Sequence, residues 1–128
     1  MKFSYEIFPE QRLILQRYTG NPSLADVVAS TRRLWADPRY SKTYDGIVDL
    51  SSSSAGISMG DLRALIGFMQ QNDQTSTGRW GAVTSSPVTT ACAMLYQRAL
   101  APRHKFEVFS SWDAACGFLG VKLPRPPA

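Results

Sequence analysis

Four times between residues 12 and 119, a short β-rich apolar run gives way to a longer stretch of helical periodicity. The runs are RLILQRYT (12–19), DGIVDL (45–50), RWGAVT (79–84) and KFEVF (105–109). No other feature of the chain narrows its fold as far. Strands alternating with helices imply right-handed crossovers and a mostly parallel sheet. A fifth run, FSYEIF (3–8), is separated from the next only by Pro9-Glu10-Gln11, a hairpin signal that puts the first strand antiparallel at an edge. The expected fold is therefore α/β: a single mostly parallel sheet of about five strands with about four helices. The 128 residues suit one domain, read as 1–121, followed by a flexible proline-rich tail, KLPRPPA (122–128).

Punctuation places the helices. Asn21-Pro22 reads as an N-cap with proline at the first helical position, and Asp37-Pro38 closes that helix; Leu24, Val27, Val28, Leu34 and Trp35 share its apolar face. The second helix runs from about Met59 to Asp73, with Leu62, Leu65, Ile66 and Met69 inward. Ser86-Pro87 opens the third, in which Val88, Ala91, Cys92, Leu95 and Ala99 are expected to point inward. The last covers 111–119, and Gly120 stands where a C-cap glycine belongs.

Composition excludes several functions. With 44% apolar and 19% charged residues the chain reads as an ordinary globular protein. No apolar run reaches the roughly 20 residues a membrane span needs, and Glu6 and Pro9 interrupt any signal-peptide core, so the cytoplasm is the expected location. The net charge of +4 is carried by arginines scattered from Arg12 to Arg103, which argues against a nucleic-acid footprint. Cys92 and Cys116 sit in apolar patterns and read as small buried hydrophobes. His104 is the only histidine, so neither a His/Cys zinc site nor a Ser–His–Asp triad is well supplied. No Gly-rich phosphate loop follows any strand. No metal and no cofactor are expected.

The strand-to-helix connections are rich in serine. Asp49, Ser51, Ser52, Ser85, Ser86 and Ser110 fall on the carboxyl edge of the sheet, where open α/β sheets bind ligands or partners. Ser58/Asp61 and Ser110/Asp113 have capping-box spacing, and capping is the plain role of such serines. The run Ser51–Ser54 reads as a solvated loop. A small hydrolase-like enzyme would use Asp49 as base beside a loop serine such as Ser51.

The element order, with RYTGNPSLADV, DPRY…YDGIVDLS, RWGAVTSSP and FEVFSSWDAACGFLG, resembles the STAS-like fold of anti-sigma-factor antagonists. It is most similar to the bacterial SpoIIAA-like family of small stand-alone domains, over residues 3–120. The resemblance implies a non-catalytic domain that binds a protein partner or a small apolar ligand, as a homodimer. Antagonist members are switched by phosphorylation of a serine at the start of the second helix. The matching stretch here, GISMGDL, puts Ser58 at that serine and Gly60 near the family's glycine, but Ile57 and Met59 replace its aspartate and second serine. SpoIIAA-like members also resemble lipid carriers, which implies an apolar pocket or interface for which Trp35, Phe68, Met69, Met94, Tyr96 and Trp112 are the candidates.

Overall fold

The computed structural model describes residues 2–54, 57–101 and 103–124. Strands β1 (Lys2–Phe8) and β2 (Leu13–Gly20) form a hairpin around a 3-10 turn at Pro9–Gln11. Then follow α1 (Leu24–Ala36), β3 (Asp45–Ser53), α2 (Met59–Gln71), β4 (Arg79–Val83), α3 (Pro87–Leu100), β5 (Lys105–Phe109) and α4 (Trp112–Leu119). The strands lie in the order β1-β2-β3-β4-β5, with β1 antiparallel to β2 and the rest parallel. Each parallel strand adds beside its predecessor, so right-handed crossovers carry α1, α2 and α3 to one face. Helix α4 follows β5 and packs beneath β3, β4 and β5 on the other face.

Period-2 alternation divides the strands between two cores. Ile14, Tyr18, Val48, Trp80 and Phe106 face the three-helix side. Leu13 and Ile47, next to Ile14 and Val48 in the chain, and Val83, next to inward Ala82, pack with Trp112, Ala115, Cys116 and Leu119 on the α4 side. Two glycines set the spacing of the layers. A Cβ on Gly81 would sit 3.3 Å from Ala115 Cβ, so α4 rests almost on the strand. A Cβ on Gly46 would come within 2.5 Å of the Trp80 ring, which therefore lies flat across β3.

Several boundaries depart from the sequence expectation. Helix α1 starts at a capping box of Ser23 and Asp26, not at Asn21. The Asp26 N–H donates to Ser23 Oγ at 3.1 Å and the Ser23 N–H to Asp26 Oδ2 at 3.0 Å. Two reciprocal bonds at Ser23 outweigh the single one that Asn21 could accept. Helix α4 is capped by Ser111, whose Oγ accepts the Ala114 N–H, so the expected Ser110/Asp113 pair does not form. Ser58 does cap α2, accepting the Asp61 N–H at 3.1 Å. In α3 the inward stripe is Thr89, Cys92, Ala93, Tyr96 and Leu100, whereas Val88 is 61% and Leu95 42% exposed. Both stripes have helical spacing, one residue apart. Burying the large Tyr96 ring, with the Thr89 hydroxyl satisfied by Ser86, selects the first.

The serine run is strand rather than loop. Ser51–Ser53 continue β3, with Ser52 and Ser53 paired to Thr19 and Gly20. One extra residue enters β3 between the pairs Arg17↔Asp49 and Thr19↔Ser52, a β-bulge that reverses the alternation from there on. Asp49 Oδ1 accepts both the N–H (2.9 Å) and the hydroxyl (2.6 Å) of Ser51 and holds the bulge in place. The stretch after α4 also packs back on the domain, into the segment read from sequence as tail. Trp112 Nε1 donates to Leu123 O at 2.9 Å, and Val121 and Leu123 pack on the α4 core. Residues 125–128 lie outside the described residues.

Candidate functional site

Sequential strand order leaves no point at which neighbouring crossovers diverge, and so no switch-point crevice at the carboxyl edge. The concave feature lies instead between the sheet and α1–α3. It is a cavity of about 200 Å³ whose lining runs from Ser53, Ser54 and Ile57, at and beyond the carboxyl end of β3, to Ser76 and His104, ahead of β4 and β5. Its floor is Tyr18, Val48, Trp80 and Phe106 of the sheet, and its roof is Val27, Leu34, Leu62, Leu65, Met69 and Ala93 of the helices. Trp35 forms part of one wall and stacks on Phe68 (centroids 5.4 Å, planes 14° apart), closing the seam between α1 and α2.

The walls are mostly apolar, and among the described residues no Lys, Arg, Asp or Glu lines them. The polar groups that do are largely occupied. Tyr18 donates to Ser30 Oγ at 2.6 Å, because the serine proton goes to Val27 O. Tyr40 donates to Gln74 O at 2.6 Å, and burial pushes its hydroxyl up to about 12. Thr31 donates to Val27 O at 2.7 Å. At the inner end His104 Nδ1 lies 3.1 Å from Ser76 O, and burial pushes the imidazole down to about 4. The edge of the Tyr96 ring meets His104 at 5.9 Å. Burial first, then the neighbouring Tyr18 and Tyr40 hydroxyls, raise the Tyr96 hydroxyl above its ordinary value.

The expected site residues separate into several places. Trp35, Met69 and Tyr96 line the cavity. Phe68 stands behind Trp35 with the Arg32 guanidinium over its outer side. Met94 is 49% exposed, and Trp112 belongs to the α4 core across the sheet. Of the carboxyl-edge group, Ser85 donates to Ser51 O at 2.7 Å and ties the exit of β4 to β3. Ser52 accepts from Arg17 Nη2 at 3.3 Å, Ser86 caps α3, and Ser110 is exposed. Asp49 is within reach of Ser51, as a hydrolase-like site would need. The carboxylate is nevertheless fully buried, on the sheet face opposite the cavity, and its Oδ2 faces Arg17 Nε at 3.8 Å. Ser58 is exposed at the start of α2, with Asp61 one turn away. Among the described residues no cluster of three metal-ligating side chains forms, and no helix is long and apolar enough to cross a membrane.

Tyr18, Tyr40, Trp80, Cys92 and His104 also line the cavity, and sequence reasoning passed over them as a site. Alternation could have found His104, which continues the inward series of Phe106 and Val108 one step back. Its charged neighbours in APRHK obscured it.

No family model and no curated protein matches the sequence. Among solved structures, one match is an uncharacterised protein of the DUF3478 family with a SpoIIAA-like fold, from Shewanella loihica PV-4. The two agree with a TM-score of 0.63 over 91% of this chain and 93% of that one. The fold is SpoIIAA-like. At 12% identity the likeness concerns the backbone path alone. Within the SpoIIAA-like frame, the cavity beneath the three crossover helices is built from this chain's own side chains.

Proposed function

We propose that this SpoIIAA-like domain is a non-catalytic binding protein that encloses a small apolar ligand between the sheet and α1–α3. One observation carries the proposal: an apolar cleft with about 200 Å³ of space reaches between the sheet and α1–α3 into the main core, where interiors normally pack with few voids larger than a water molecule. An unfilled apolar cavity costs stability roughly in proportion to its volume. A ligand that fills it recovers that loss, and the recovery drives binding. An apolar cavity of about 150 Å³ holds benzene, so this one suits a ring with a short substituent, not a two-chain lipid. The buried position of Asp49 supports the non-catalytic part of the proposal.

Ala93 reaches the cavity from α3, and Ala93→Phe would fill much of it. Thermal unfolding with and without small apolar probes tests the proposal. The native chain should gain several degrees in Tm at saturating probe. The Ala93→Phe chain should keep its helical circular dichroism and gain nothing. An equal gain in both would place the binding elsewhere.

A further inference from the structure

The inner end of the cavity specifies more than apolarity. The Ser76 carbonyl only accepts, so His104 Nδ1, 3.1 Å away, must carry the ring proton. A neutral imidazole protonated there presents Nε2 as a lone-pair acceptor. His104 is 94% buried, and Nε2 meets no hydrogen-bond partner among the described residues. The Tyr96 hydroxyl also has none among them, and both side chains line the cavity. One acceptor and one hydroxyl with no partner among the described residues thus belong to side chains that line the same chamber, where one ligand can bond both. Among the described residues neither Lys nor Arg lines it, so none of them would balance an anion there.

Resting on the cavity as the binding site, we propose that its ligand is a small neutral alcohol or phenol with a ring-sized apolar body. Its hydroxyl donates to His104 Nε2 and accepts from Tyr96, while Trp80 and Phe106 hold the body. A carboxylate of the same size is excluded twice. It has no proton to offer Nε2, and it brings a charge into a chamber with no counter-charge.

Three probes of matched shape separate the possibilities: 2-phenylethanol, ethylbenzene and phenylacetate, titrated at pH 7.5 into the full chain. Quenching of Trp35 and Trp80 fluorescence reports binding, and Trp112, across the sheet, supplies a constant background. 2-Phenylethanol should bind at least about tenfold more tightly than phenylacetate. Tyr96→Phe should weaken 2-phenylethanol by about fivefold and leave ethylbenzene unchanged. Phenylacetate binding as tightly as the alcohol would overturn the assignment while leaving the cavity a binding site. So would a Tyr96→Phe chain that keeps the native ratio of alcohol to ethylbenzene. Failure of all three probes to bind would overturn the cavity as a site altogether.

Discussion

His104 and the Asp49–Arg17 pair are buried ionisable sites that respond to perturbation differently. His104 has its protonation pushed down to about 4 by burial, with Ser76 O opposing the shift and Arg103 adding to it. In the unfolded chain a histidine titrates near 6.5. Above that pH both states are neutral and the residue contributes nothing to the pH dependence. Below it the unfolded chain takes up a proton that the folded chain refuses, so stability falls as pH drops from 6.5 through about 4. The full loss is about 3 kcal/mol. Urea unfolding at pH 7.5 and 4.5 should show it, and His104→Gln should flatten that part of the profile. Asp49 is the second case. Asp49→Ala removes the carboxylate that faces a buried guanidinium and releases the bulge at Ser51, and should cost about 3 kcal/mol or more. An Asp49→Leu, Arg17→Met pair should recover much of that loss in the same unfolding experiment. If the single and double variants are equally unstable, the ion pair is not what holds this part of the sheet.

At the level of elements, the start of α1 distinguishes two capping schemes. Ser23→Ala should cost about 1 kcal/mol, while Asn21→Ala should leave stability unchanged within error; chemical denaturation of both variants checks this. The reverse ranking would mean that the helix begins at Asn21-Pro22. Helix and strand existence was legible in this sequence because each run is long enough for its period to show. The caps were less so, since Asn21 and Ser23, or Ser110 and Ser111, differ only in which backbone N–H each can reach. Nor did the Ser51–Ser53 extension show, since serine has little strand propensity. What keeps these residues in the sheet is pairing with Thr19 and Gly20 beyond the bulge, a tertiary contact with no local trace. In α3 two stripes of equal spacing competed, and packing of the Tyr96 ring decided between them.

Across the whole molecule, the hydrophobic pattern was enough for the strand-helix alternation and the antiparallel edge strand, because both follow from local signals and from the handedness of crossovers. The cavity was legible only in part. Trp35, Met69 and Tyr96 were apolar candidates on the expected faces, but a void is a property of how three helices stand on a sheet, and no single segment encodes it. The order β1 to β5 has one more consequence. Every strand pairs with the strand that precedes it in the chain, so no pairing waits for a distant segment to arrive. Domains form from the N-terminus as synthesis proceeds. This chain can therefore assemble in the order it is made. The hairpin offers an edge to β3, β3 offers one to β4, and α4 seals the underside when the last strand is already in place.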